Sequence, residues 1–446
     1  MSAAVLPQTQ RYTVPPMNRP LIAALVLGVL ATACQGTSVT SPSSMDEVTA
    51  QPSATSQTES TPSSPLESLT QSPAPSSPSP SLPAATPAAG SGVVREVGWR
   101  EVGSFGGPDI VEHVLAVAFG ADQFVGVGVH YTGHPPDTGP VPHEGRIWLS
   151  PDGESWEQLD SQPIFDDATL TSLATARDGS LIAFGNIDSF EASTGAFDSE
   201  AAAWRSSDGR SWERIDLGLP SEVRIGQVVH GAQGYLLSAS STQFQDLNEL
   251  WLSTDATSWE RVHQTAQRRI DAIAAGDEGF VALLLGESGD ARATLASADG
   301  REWFEGDALA GYGRPLTSLG GDWITVTSSV QELPVPIDVW FSANGLDWSS
   351  AGSIHDPDER DNFGFAAGLT SAGGRSFLST ALAVCCGSVA VPGGVWSSVD
   401  GTSWQQTDID ADGMVAAAAE HNGIVVLAGY VGVYEGRATF WVNQRP

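Results

Sequence analysis

The stretch "VWSSVDGTSW" (395–404) decides the fold of this chain, because it recurs. The pattern returns as "IWLSPDGESW" (147–156), "AWRSSDGRSW" (203–212), "LWLSTDATSW" (250–259), "TLASADGREW" (294–303) and "VWFSANGLDW" (339–348). Each copy reads as a β-hairpin: an apolar strand, a tight turn carrying Asp-Gly, and a second strand that opens at the trailing Trp. The turn residues Asp152, Asp208, Asp255, Asp299, Asn344 and Asp400 are placed to accept from amides of their own turn. Gly takes the positive φ that such a loop needs. The flanking Ser satisfies another local backbone group. Each Trp supplies a large apolar area with one N–H to place. A fixed-period pattern of this kind is scaffold rather than active site.

A second pattern precedes each hairpin: an apolar strand, a turn with Gly, Asp or Asn, and another apolar strand. It occupies 113–129, 170–185, 226–240, 269–286, 315–328, 365–382 and 414–430. Runs of small and β-branched apolar residues suit strands buried on both faces. Seven inner hairpins thus face six complete Trp hairpins, and the two ends of the chain supply the missing one. "ATFWVN" (438–443) matches the first half of a Trp hairpin, and "GWREVG" (98–103) matches the second half. Trailing Trp residues fall at 99, 156, 212, 259, 303, 348 and 404, so a unit is roughly 44–57 residues, the size of a four-stranded blade. The expected fold is all-β: a seven-bladed β-propeller of four-stranded antiparallel blades, spanning 93–446, its last blade closed by strands 98–103 and 438–443. A closed ring leaves only short edges exposed.

The turns resemble the Asp-box (BNR) repeats of sialidase-like propellers, which read Ser/Thr-x-Asp-x-Gly-x-Thr-Trp. Here the form is Ser-x-Asp-Gly-x-Ser-Trp, one residue shorter between Asp and Trp. Ala256 replaces Gly in the third copy, Asn344 replaces Asp in the fifth, and Leu295 replaces the leading Trp in the fourth. The resemblance covers 94–446 and implies architecture, since such boxes lie away from the active face in that family.

Upstream of the repeats, "MNRPLIAALVLGVLATAC" (17–34) has a basic Arg19, an apolar core and small residues before Cys34. Residues 1–34 look like a bacterial lipoprotein signal with Met17 as a possible start, Cys34 as the lipidated residue and Ala31 in place of the usual Leu. Residues 35–92 are rich in Ser, Pro, Thr and Ala. They lack the apolar side chains needed for a core and are expected to act as a disordered tether. The expected location is therefore the bacterial cell envelope, outside the cytoplasm, anchored to a membrane by lipid.

There are 53 Asp and Glu against 20 basic residues, no Lys, and a net charge of -33. That balance argues against nucleic acid as a partner and favours cations or cationic partners. A monomer is the expected state. Cys385 and Cys386 are adjacent, which allows a vicinal disulfide or two thiols in an oxidising compartment.

Antiparallel blades send the Asp-Gly turns and inner-hairpin turns to one face, and the remaining connections to the other. The longest segments of that loop face are 129–145, 187–201, 241–249, 351–363, 383–393 and 406–413, and binding is expected there. "DIDADG" (408–413) spaces Asp408, Asp410 and Asp412 like the start of a calcium loop, without the closing Glu at the twelfth position. The bland alternative is a solvated acidic link. "HYTGHPPDTGPVPHEG" (130–145) brings His130, His134 and His143 together with carboxylates, and "HDPDERDN" (355–362) adds His355 and Arg360. The former could serve zinc, though the spacings match no fixed site; the latter reads more simply as a hydrated charge cluster.

Sialidases use three Arg, a Tyr nucleophile paired with Glu, and an Asp acid. Their Arg-Ile-Pro signature is missing here. Arg224, Arg268, Arg269, Arg314 and Arg360 are the main loop-face Arg, and Tyr131, Tyr312 and Tyr430 are the available Tyr. No other catalytic motif appears. The leading expectation is a tethered propeller that binds a glycan or protein through its acidic loop face, and not an enzyme. The alternatives are a sialidase-like glycoside hydrolase and an assembly or stability factor for a membrane complex.

Overall fold

Successive residues of a strand point to opposite sides, and in this chain both sides are apolar. Phe124 packs towards Phe440 and Val426, whereas Val125 packs towards Leu170 and Trp204. Phe280 and Val281 divide in the same way between two clusters. A sheet with two apolar faces must be covered on both, and a ring of sheets achieves this without a cap.

The computed structural model describes residues 98–107, 110–132, 142–191, 196–241, 247–266, 268–285, 291–311, 315–328, 336–355, 363–383, 390–409, 412–432 and 436–444. They form seven four-stranded antiparallel sheets. Blades 1 to 6 span 110–158, 168–215, 223–266, 269–310, 316–354 and 363–406, with the strands paired in sequence order. Blade 7 comprises Gly413–His421, Ile424–Val431 and Arg437–Gln444, with Arg100–Phe105 added outside the last of these. The first strand of each blade touches the first strands of the blades before and after it, and 413–421 returns to 110–120. The ring is closed as expected.

No blade has a core of its own. Each of the seven buried clusters is shared by two neighbours, from Val125, Ile147 and Trp204 between blades 1 and 2 to Val114, Trp148 and Phe440 between blades 7 and 1. Blade-to-blade burial is therefore the main apolar stabilisation of the fold. The innermost strands of blades 1, 2, 3, 4, 6 and 7 each carry a register shift, at positions such as Val114/Ala116 and Ile270/Ala272. Such bulges bend and twist a strand, which suits the crowded strands at the axis.

The six box turns, four of them Asp-Gly, share one arrangement of bonds around the Asp or Asn oxygen. Asp152 Oδ1 accepts from the amides of Glu154 at 2.9 Å and Ser155 at 2.7 Å, and from the Ser150 hydroxyl at 3.1 Å. The Trp156 indole N–H donates to Gly153 O at 3.0 Å. The equivalent bonds recur at Asp208, Asp299 and Asp400. At Asn344 an amide oxygen replaces the carboxylate and makes the same contacts.

These bonds favour the ionised carboxylate. The amides of Ser155 in the first box, Ser258 in the third and Glu302 in the fourth each lead in holding their Asp below the ordinary range. Burial opposes this at Asp400, yet the Ser403 and Thr402 amides prevail and bring it down to about 2.

Gly345 shows why the box glycine is used. Its φ is +74°, and a Cβ there would lie 2.4 Å from Val281 Cγ2 of the preceding blade. At the third box Ala256 adopts φ 63° and is fully buried beside blade 2. There the Trp259 indole N–H finds no partner among the described residues.

Closure differs from expectation in its limits. The N-terminal strand runs Arg100–Phe105 rather than 98–103, and its partner runs Arg437–Gln444 rather than 438–443. A register shift between Glu101 and Gly103 displaces the pairing, so that Ser104 lies opposite Thr439. Gly98 and Trp99 instead lead in, held by Asp408: their amides donate to its two carboxylate oxygens at 2.8 and 3.1 Å. The signal segment 1–34 with Cys34, the tether 35–92, the adjacent Cys385 and Cys386, and residues 93–97 lie outside the described residues.

Candidate functional site

The loop face of blade 1 carries polar side chains in strands that are otherwise apolar. Strand Ile110–Gly120 reads IVEHVLAVAFG and buries Glu112 and His113 at its loop-face end. Strands Gln123–Thr132 and His143–Ser150 place Tyr131 opposite His143 and His130 opposite Glu144. His130 and His143 were expected in an irregular loop; both sit within strands and are buried. His134 and Arg360 lie outside the described residues. His355 is exposed just after strand Ser349–Ile354, far along the ring from blade 1.

Two groupings result. In the first, Glu112 Oε1 lies 2.8 Å from His130 Nδ1 and accepts from Gln158 Nε2 at 2.6 Å. Glu112 is 2% exposed, and its Oε2 has no partner among the described residues. Its backbone amide donates to Gly436 O of blade 7 at 2.7 Å.

The second grouping is a row of rings that crosses three blades. Tyr430 of blade 7 stacks on His113 with centroids 4.1 Å apart. Tyr131 meets His113 edge-on at 6.2 Å and lies 5.8 Å from the His143 ring. His143 Nε2 is 3.4 Å from Asp188 Oδ2 of blade 2. Gly436 makes the first contact possible, since a Cβ there would lie 2.2 Å from His113 Nε2.

Burial and charge set the protonation of this row. Burial pushes His113 down to about 4, so its imidazole is neutral at pH 7. Burial also pushes Tyr131 up to about 12; the Asp188 charge adds to this and Arg224 opposes it. Tyr430 rises by burial. Burial acts to raise Asp188, but His143, Ser199 and Arg224 outweigh it and hold the carboxyl below its usual range. The row therefore presents neutral hydroxyls and imidazole beside a carboxylate and a guanidinium.

Blade 2 frames the row. Segment 187–201, expected as an irregular loop, belongs mainly to strands Leu181–Glu191 and Ala196–Ser206, which stay paired from Leu181 with Ser206 to Glu191 with Ala196. Phe190 is exposed near the far end of this hairpin.

Asp408 spends both oxygens on the N-terminal amides, and Asp412 is exposed in the following turn. Asp410 lies outside the described residues. Among the described residues no group of three or more His, Cys, Asp or Glu is gathered to hold a metal. Arg268 pairs with Glu305, and Arg269 pairs with Asp271, which also binds Arg292 at 3.0 Å. Of the described loop-face Arg named from sequence, Arg224 is the one whose charge acts on the row; Arg314, like Arg360, lies outside the described residues. Sequence reading missed Glu112, His113, Gln158 and Asp188. The signal for the first two was an acidic–imidazole pair inside an apolar inner strand.

No family model matches the chain, and no curated protein matches it. Solved structures resemble it at low identity. The GH93 α-L-arabinofuranosidase of Fusarium graminearum, in complex with arabinobiose, is 13% identical, with 77% of this chain and 97% of that one covered and a TM-score of 0.42. The phage phi92 endosialidase is 9% identical, covering 77% and 69%, with a TM-score of 0.39. A Trypanosoma rangeli sialidase mutant with trans-sialidase activity is 12% identical, covering 65% and 55%, with a TM-score of 0.37. At such scores their activities remain properties of those proteins.

Proposed function

We propose that this protein is a lipid-tethered propeller of the cell envelope that binds a glycan at the loop-face row of blades 7, 1 and 2. The observation that carries the reading is Tyr131, set between His113 and His143 with Asp188 and Arg224 beside it. Aromatic faces with a few fixed polar groups suit a sugar ring and its hydroxyls. The state of the phenol counts against the tyrosine-nucleophile form of hydrolysis. A tyrosine nucleophile needs its proton removed easily, and Tyr131 holds its own more tightly than a free phenol does.

The test is a glycan array on the full chain, followed by calorimetry with any hit. Tyr131→Ala should weaken binding at least tenfold when binding is read well below the variant's unfolding transition, which loss of the packed ring lowers. Tyr131→Phe should retain most of the affinity, because the ring remains. Turnover of fluorogenic sialosides or arabinofuranosides that disappears in Asp188→Asn would replace binding by glycoside hydrolysis.

A further inference from the structure

The third strand of each blade needs cover on its outer side, and the blades meet this need unequally. In blades 3 and 4 a seven-residue outer strand supplies it. In blade 1 the outer strand has two residues, but the following segment continues the cover: Leu159 N donates to Ile147 O at 3.0 Å, and Asp166 bridges to Glu144. In blade 2 the third strand Ala196–Ser206 has eleven residues, whereas the outer strand Glu213–Ile215 has three and pairs only with Ala203, Trp204 and Arg205. The segment 216–222 makes no backbone bond to 196–202 among the described residues. The outward amide of Ser199 is met by the neighbouring Asp198 side chain at 2.9 Å. By strand alternation the amide of Ala201 also points outward.

A groove of about 460 Å³ lies along this open edge. Ala201, Ile215, Leu217 and Leu219 supply its apolar lining. Glu200 and Asp216 line it as well, and the nearby Asp198 and Glu213 are exposed; Arg214 is paired with Glu200 at 2.5 Å. An open strand edge with unpaired backbone groups is a template for an added strand, and an adjoining groove receives its alternate side chains.

We infer that this edge docks an extended, cationic polypeptide segment as a fifth strand of blade 2. Charge selects the occupant. A second copy of this chain carries a net charge of -33 and is repelled. The chain's own segment 35–92 contains acidic residues and no Lys or Arg. A segment that alternates basic and apolar residues matches both the carboxylates and the apolar lining. The surface is separate from the ring row and does not depend on glycan binding.

The probe is a fluorescein-labelled decapeptide of alternating Val and Lys, titrated by anisotropy into the full chain at 0.15 M salt. Saturable binding is expected, with Val-Glu decapeptide inert. Methylating alternate backbone nitrogens of the Val-Lys peptide should weaken it at least tenfold. Ala201→Pro removes the outward N–H and should do the same. Glu213→Lys combined with Asp216→Lys leaves the hydrogen bonds of strand Ala196–Ser206 intact, provides a second variant should the proline disturb folding, and should also cost tenfold. Absence of binding overturns the proposal. So does binding indifferent to N-methylation and to the lysine variant, which is what diffuse attraction to an acidic protein would give.

Discussion

The two faces of the ring are built on opposite plans. On the turn face one device is used six times, each time from residues adjacent in sequence: a side-chain oxygen that gathers its own turn's amides. On the loop face the described residues repeat no such device, and the row from Tyr430 to Asp188 draws on three blades. Repetition serves the scaffold, where each blade must meet the next in the same way. The irregular row sets the meeting of blades 7, 1 and 2 apart from the other described junctions, and it is where the proposed binding would act.

The sharpest way to break the turn-face plan is to fill a box glycine. Gly345→Val forces a β-branched residue to φ +74° and drives its Cβ into Val281. It should destabilise by about 3 kcal/mol or more in urea unfolding. Ala256→Gly should change stability by no more than about 1 kcal/mol, since that interface already holds a Cβ.

Acid separates the faces next. His113 has a folded pKa of about 4, down from 6.5, so the unfolded chain takes up its proton first as pH falls. The stability it contributes is complete above pH 6.5 and is lost as pH drops to about 4, roughly 3 kcal/mol in all. The turn-face carboxyls respond lower: Asp400 contributes above pH 3.8 and loses its contribution as pH falls towards about 2. Unfolding free energy measured against pH should therefore decline in two stages, and His113→Phe, which keeps a stacking ring, should shrink the upper one, leaving the shares of His230 and His263, which burial also lowers.

A smaller effect is expected at the seam. Asp408→Ala deprives the Gly98 and Trp99 amides of their acceptors and should cost about 2 kcal/mol. Faster hydrogen exchange at those two amides is the local readout. The smallest effect belongs to the exposed ion pair between Arg210 and Glu157, at 2.5 Å across blades 1 and 2. Arg210→Ala should leave the urea unfolding midpoint unchanged, because solvent screens a pair this exposed.

The same contrast explains what could be read from sequence. Box chemistry acts within four residues, so "SSVDGTSW" declares both its turn and its indole, and counting its copies yields the ring. The row of rings is assembled by curvature. Glu112 and His113 stand inside an apolar strand; Tyr430, which stacks on His113, is 317 positions away, and Asp188, which meets His143, is 45 positions from it. His130 and His143 were visible as residues, but the intervening Pro and Gly suggested a loop where the strands continue. The acidic run at 408–412 suggested a cation, whereas Asp408 meets backbone amides from the other end of the fold.

The seam also sets an order of events. Ser104 and its opposite number Thr439 are separated by 335 positions. During synthesis the strand Arg100–Phe105 emerges among the first parts of the fold, and its partner Arg437–Gln444 among the last. The six intervening sheets can form as they appear, each lending a face to the next. Blade 7 cannot complete itself until Arg437–Gln444 has been made, and until then blades 1 and 6 each expose a side meant for it. The early strand must wait unpaired while six blades are made, so a chain released before position 437 is left as an open arc.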